Sequence, residues 1–292
     1  MQYFLKPFFA DAESEYADAD YIMFGVPYDG TTSYLPGTRL GPKAIREASW
    51  NFETYLPDLD IHFSEIAVCD MGDLEISTVP EMVVCEVESA VRDFTEDNKF
   101  PVILGGEHSL TIGAMNAIRP ECYVVCDAHL DLRDEFGSTP FNHACVTRRA
   151  FDMGAEIFII GARSGPEEEF RLAQDNDRIH LYSPDDVRRR GIAAICDEII
   201  SIISGRKTYL SVDADAIDCC LTPGLGTPEP FGLDTFDIRD VIRKIGPYAS
   251  AFDYVEVCPT DSGQTAMVAA KIIREFIAVH SISAKKLQKL QN

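Results

Sequence analysis

The sequence predicts an α/β fold, a single domain spanning residues 1–292 in which a mostly parallel sheet of about eight strands is covered by helices on both faces. Three observations predict it. Short apolar runs rich in β-branched and aromatic residues recur along the chain, segments with helical periodicity separate most of them, and no linker, low-complexity stretch or internal repeat divides the 292 residues. Parallel neighbours need crossovers of roughly a dozen residues or more, and the intervening segments are long enough to supply them.

The strands are expected at residues 21–26, 65–69, 101–104, 122–126, 157–160, 178–182, 208–212 and 251–257. Most are continuous apolar runs such as Val102-Ile103-Leu104 and Tyr123-Val124-Val125, the pattern of strands buried on both faces. Between them, Met82, Val83, Val87, Ala90, Val91 and Phe94 share one face of a helix, and Ile192, Ile195, Ile199, Ile202 and Ile203 share one face of another. A third helix opens near Ser109, after two glycines that permit a sharp turn. A Lys-rich tail is expected at 284–292.

Composition narrows the functional classes. With 46% hydrophobic residues the chain can bury a sizeable core, while 48 acidic against 26 basic residues leave a net charge of -22. Such a balance argues against nucleic acid and anionic membranes as partners and favours a cationic substrate, although a solvated acidic surface accounts for most of it. Nine cysteines, odd in number and mostly set in apolar runs, read as reduced and buried rather than as a disulfide framework. No run reaches the roughly 18 apolar residues of a membrane span, and the expected location is cytoplasmic.

Three strand ends carry the chemistry. Cys126-Asp127-Ala128-His129-Leu130-Asp131 sets polar side chains at every second position directly after an apolar run, so in an extended chain Asp127, His129 and Asp131 face one point. Asp213-Ala214-Asp215 ends another strand, with Asp218 soon after, and Gly105-Gly106-Glu107-His108-Ser109 ends a third. A lone D-x-H-x-D is accounted for by caps and hydrogen bonds at a turn. Three such ends are not, because buried carboxylates brought together repel unless a cation neutralises them. Four carboxylates and two imidazoles, with no cysteine among them, suit a borderline-hard ion such as Mn²⁺ better than a structural Zn²⁺. Six ligands also exceed what one ion with an open position takes, so two bridged ions are expected, a pair that acidifies a bound water.

At these residues the sequence resembles the ureohydrolase family, the arginases and agmatinases, over nearly its whole length. The likeness includes Gly25-Val26-Pro27-Tyr28-Asp29, the stretch from Pro36 to Arg46, GGEHS at 105–109, DAHLD at 127–131, SVDADAID at 211–218, GLGTPEPFG at 224–232 and Val255-Glu256-Val257-Cys258-Pro259. The resemblance implies an arginase-like fold, assembly into homo-oligomeric trimers or hexamers, and two Mn²⁺ per subunit. It implies that His108, Asp127, Asp131 and Asp213 bind one ion and Asp127, His129, Asp213 and Asp215 the other. It further implies that Glu256 holds the guanidinium, that Asp131 passes the nucleophile's proton to the departing amine, and that His143 shuttles protons with solvent. Glu107 stands where the family usually has Asp and is expected to support the neighbouring ligand; Cys219-Cys220 replaces a proline after Asp218.

The loop after DAHLD lacks the arginase wording and resembles the agmatinase branch in Leu132-Arg133-Asp134 and Asn142-His143-Ala144-Cys145. An acidic mouth at Asp134 and Glu135 suits a substrate that ends in an amine, which makes agmatine, hydrolysed to putrescine and urea, the expected reaction; a surface ion-pair cluster explains Arg133, Asp134 and Glu135 equally well. The alternatives are a related hydrolase of guanidinobutyrate, a formimino amino acid or arginine, and a non-catalytic metal-binding regulatory homologue. A metal-dependent deacetylase would need a histidine pair at 108–109, and Ser109 breaks it.

Overall fold

Eight apolar runs become the strands of one sheet because each pairs with neighbours that bury both of its faces. The structure is a computed structural model that describes residues 8–291, with the side chains of the last helix described as far as residue 286. In chain order the strands are β1 (Tyr21–Val26), β2 (Tyr55–Leu56), β3 (Ile61–His62), β4 (Val68–Asp73), β5 (Phe100–Gly105), β6 (Cys122–Cys126), β7 (Glu156–Ile160), β8 (Ile179–Tyr182), β9 (Thr208–Asp213) and β10 (Ala249–Val255). The helices are α1 (Gly41–Ser49), α2 (Pro80–Glu96), α3 (Leu110–Ile118), α4 (Val146–Asp152), α5 (Glu167–Gln174), α6 (Pro184–Arg190), α7 (Ile192–Ile203), α8 (Thr235–Ile245) and α9 (Gln264–Gln291).

The sheet order is β4-β1-β5-β10-β9-β6-β7-β8, and every pairing in it is parallel. Side chains alternate between two cores: on β6, Tyr123 and Val125 face the core shared with α2 to α5, while Val124 and Cys126 face the one shared with α1 and α6 to α9. Each fully buried Val, Leu, Ile or Phe in these layers contributes about 1.5–3 kcal/mol. The expected helix faces are largely the buried ones, with Val83, Val87 and Val91 of α2 and Ile195, Ile199 and Ile203 of α7 in the core, but Met82, expected on the α2 face, is exposed.

Three expectations need correction. The strand expected at 65–69 begins at Val68 and runs to Asp73, because its second half is polar: Asp70 and Asp73 at the sheet edge receive the guanidinium of Arg46. The last strand ends at Val255, so Glu256 lies just beyond it. The Lys-rich segment continues α9 to Gln291 and is no separate tail, with Asn292 outside the described residues. The β2–β3 hairpin, two residues a side, was too short to leave a pattern.

The chain leaves β5 through α3 and enters the sheet again at β6, skipping the two places later filled by β9 and β10. At such a switch point, loops diverge beyond the carboxyl ends of the strands and open a crevice. The ends of β5, β6, β9 and β10 all meet there. Among the described residues, no helix is long and apolar enough to cross a membrane.

Candidate active site

Each polar side chain at the crevice is delivered by a strand end that local hydrogen bonds hold in place. Beyond β5, Gly106 passes so close to Tyr28 that an added Cβ would lie 2.0 Å from the Tyr28 carbonyl oxygen. Close approach of two backbones, rather than a positive φ, is what requires glycine there. Beyond β6, Asp127 Oδ1 accepts the His129 backbone N–H at 2.6 Å. Beyond β9, Asp213 Oδ1 caps the turn Ala214–Ala216 by accepting the Asp215 N–H at 2.8 Å, and Asp215 Oδ1 accepts the Ala128 N–H at 3.0 Å, tying the two loops together.

The six expected ligands form two groups. His108 Nδ1 lies 3.2 Å from Asp127 Oδ2, 3.4 Å from Asp131 Oδ2 and 3.3 Å from Asp213 Oδ2. His129 Nδ1 lies 3.0 Å from Asp215 Oδ2 and 3.6 Å from Asp127 Oδ1. Asp127 thus presents one oxygen to each group. Asp213 gives Oδ2 to the first, and its Oδ1, like Asp127 Oδ1, accepts the backbone N–H two residues on. Asp131 arrives by a left-handed turn, φ 51°, not by strand alternation, which corrects the idea that residues 127, 129 and 131 face one point in an extended chain.

The charge state calls for cations. Burial first, then repulsion from Asp127, pushes the Asp131 carboxyl up to about 7, and burial with the charges of Asp215 and Asp127 pushes Asp213 well above the carboxylate range. His108 Nδ1 and Asp127 Oδ2 are buried, face each other, and make no hydrogen bond. The reason lies behind the ring. Ser211 Oγ donates to Asp253 Oδ1 at 2.5 Å, which uses its only proton, so it meets His108 Nε2 at 3.0 Å as acceptor. His108 therefore carries a proton on Nε2, and with a cation in place its Nδ1 would turn a lone pair toward the carboxylates, the arrangement of a metal-ligating histidine. Orphaned donor atoms of ligand type, crowded carboxylates and an oriented imidazole all fit a pair of divalent ions.

Above these groups lies a cleft lined by Asp131, His143, Glu256, Arg133, Phe136 and Glu169 among others. Glu256, φ 64°, is the second residue here in a left-handed conformation that costs of order 1–3 kcal/mol, and its Oε1 accepts the His108 backbone N–H at 2.7 Å. Burial, then the charge of Glu107, raises its carboxyl well above the usual range. His143 is pushed down to about 4, first by burial.

Asp134 is a correction: it does not line the cleft. Its carboxylate is 72% exposed and takes the Arg149 guanidinium at 2.6 Å, the surface ion pair that the local charge cluster also allowed. Glu135 is likewise exposed. The acid at the mouth is Glu169, buried, with Oε2 accepting the Leu132 N–H and Oε1 lacking a hydrogen bond while lying 3.4 Å from Arg133 Nε. The remaining histidines stay out of the cleft: His62 is exposed, His180 pairs with Glu156, and His280 packs among Tyr21, Phe100 and Phe276. All nine cysteines are free, with Cys85 and Cys220 exposed rather than buried. Without its proline, the turn after Asp218 is closed by that side chain, which accepts from the Cys220 and Gly232 N–H groups.

Sequence reasoning missed Ser211, Asp253, Glu169, Thr31 and Thr227, whose hydroxyl donates to Asp215 Oδ2 at 3.2 Å. Asp253 had a signal: a carboxylate inside the apolar run Ala251-Phe252-Asp253-Tyr254-Val255 needs buried partners. Ser211 had another, standing two residues before Asp213 on the same side of β9. Thr31 and Glu169 had none.

The sequence model of the Arginase family matches residues 19–278. An agmatinase of Pyrococcus horikoshii is 38% identical over 261 residues, covering 88% of this chain and 90% of that one. An N(1)-aminopropylagmatine ureohydrolase of Thermococcus kodakarensis is 36% identical, covering 87% and 88%. The solved agmatine ureohydrolase of Thermoplasma volcanium superposes with a TM-score of 0.91 at 40% identity over 97% of each chain.

Proposed function

The chain belongs to the arginase family, as a hydrolase that opens a C–N bond of a linear amidine in a guanidino substrate, and on that premise we propose that it converts agmatine to putrescine and urea with two Mn²⁺. His108, Asp127, Asp131 and Asp213 would hold one ion, and Asp127, His129, Asp213 and Asp215 the other. When bound, such a pair supplies Lewis acidity that makes solvent a competent nucleophile at neutral pH. The chain's own groups do the rest. Glu256, buried at the cleft floor, accepts charge-assisted hydrogen bonds from the guanidinium and so orients its carbon. Asp131 takes the nucleophile's proton and returns it to the departing amine, and His143 exchanges protons between the cleft and solvent.

The observation that carries the choice of agmatine is a second buried carboxylate, Glu169, in the cleft that also holds Glu256; its Oε1 makes no hydrogen bond and meets only Arg133, at 3.4 Å. Two carboxylates suit a substrate cationic at both ends. A carboxylate-tailed guanidine would find Arg133, the cation lining the cleft, already beside Glu169 at 3.4 Å. Urea release from agmatine, arginine and guanidinobutyrate with Mn²⁺ tests this: agmatine should be fastest, and faster turnover of either other guanidine overturns the assignment. The name of the Thermococcus relative favours adding N(1)-aminopropylagmatine, which extends the amine end, as a second reading. No urea from any of them would favour a non-catalytic metal-binding homologue. Trimers or hexamers belong to the same proposal and are read by light scattering.

A further inference from the structure

Glu107 is buried and receives three donors. Its Oε2 accepts the Thr31 backbone N–H at 2.6 Å, and its Oε1 accepts the hydroxyls of Thr31 and Ser109, each at 2.5 Å. The Thr31 hydroxyl has a single proton, and the carboxylate takes it. Its oxygen keeps two acceptor sites, and two groups of one residue face them: the backbone N–H of His143 at 3.2 Å and the ring Nδ1 of His143 at 3.1 Å. An acceptor oxygen 3.1 Å from a ring nitrogen calls for a proton on that nitrogen.

We infer that Thr31 is a positioning residue that fixes the tautomer of His143, holding its proton on Nδ1 through the Glu107 carboxylate and leaving Nε2 bare in a ring that lines the cleft. The construction repeats the one behind His108, where Asp253 and Ser211 fix the opposite nitrogen. A carboxylate, a hydroxyl and an imidazole in line set which ring atom can accept a proton. At His108 the free nitrogen faces the carboxylate cluster; at His143 it is left for proton exchange. The Glu107 carboxylate serves this purpose by accepting from both the Thr31 amide and its hydroxyl. The role rests on the proposed hydrolysis only in that proton exchange at His143 is useful there.

The test reads the ring itself. Long-range ¹⁵N–¹H correlation of histidine-labelled protein, loaded with diamagnetic Mg²⁺ and assigned with His143→Gln, should show His143 with a protonated Nδ1 and a bare Nε2. Thr31→Val should shift that pattern toward a proton on Nε2, and Thr31→Ser should restore it. On the Mn²⁺ enzyme Thr31→Val should lower kcat roughly tenfold at an unchanged KM, a part of the 10²–10⁴ that positioned proton-transfer groups supply. A wild-type ring protonated on Nε2, or a Thr31→Val ring identical to wild type, overturns the inference. Because the spectrum is recorded without substrate, it answers this question even for a protein inactive on every guanidine, so the two proposals fail separately.

Discussion

His108 Nδ1 and Asp127 Oδ2 lie 3.2 Å apart, both buried, with no hydrogen bond between them. Both are ligand-type atoms, and a cation would satisfy the two together. Because the other oxygen of Asp127 faces His129, Asp127→Ala should remove both ions. Elemental analysis of the Mn²⁺-loaded variant is expected to fall from two metals per chain to none, with urea release abolished. A variant that keeps one ion would show that the two groups do not depend on a common carboxylate.

Ser211 acts one bond further out. Ser211→Ala takes away the acceptor that orients His108 and leaves Asp253 short of one donor. Loss of such an orienting group typically weakens metal affinity by about 10–100-fold, and titration with a metal indicator should find that decrease. Unchanged affinity would mean that the Tyr123 hydroxyl, 3.1 Å from the same nitrogen, suffices.

Asp134 and Glu169 should separate cleanly. The exposed pair of Asp134 with Arg149 is screened by solvent and contributes little, so Asp134→Ala should leave KM for agmatine and the unfolding midpoint nearly unchanged. Glu169→Gln keeps the shape and loses the charge that would meet the substrate's amine. A charge-assisted hydrogen bond is worth about 1.5–3 kcal/mol, so KM for agmatine should rise roughly 10–100-fold with kcat less affected. If Asp134→Ala has the larger effect on KM, the mouth has been misread.

His280 makes stability depend on pH. Its Nδ1 accepts from the Tyr21 hydroxyl at 2.8 Å and its Nε2–H donates to the Ala249 carbonyl at 3.2 Å, a neutral arrangement. Burial holds the ring below its ordinary 6.5. The unfolded chain therefore takes up this proton first on acidification, so the contribution is complete above 6.5 and is lost as pH falls through the lower, folded value. Its slope is at most about 1.4 kcal/mol per pH unit. Denaturant unfolding at pH 7.5 and 5.5 should show the stability gap between wild type and His280→Gln narrowing; a gap that widens toward acid would contradict the neutral assignment.

Much of this was legible in the primary structure because it is local. An apolar run such as Tyr123-Val124-Val125 declares a buried strand, a face such as Val83, Val87 and Val91 declares a helix, and polar residues that follow a strand within two positions must sit at its end. Those facts supplied the α/β class and the six ligand-type side chains. Packing decided the remainder. Only the insertion of β9 and β10 between β5 and β6 brings His108, Asp127, Asp213 and Glu256 to one crevice. Only the close pass of Val26 and Tyr28 over Gly106 sets Thr31 between Glu107 and His143, and only the position of α4 gives Asp134 to Arg149 instead of the cleft. Periodicity reports which face of an element is buried. It is silent on which distant side chain a hydroxyl proton or a carboxylate oxygen will meet, because that depends on strand order and on distances of about 3 Å between residues far apart in the chain.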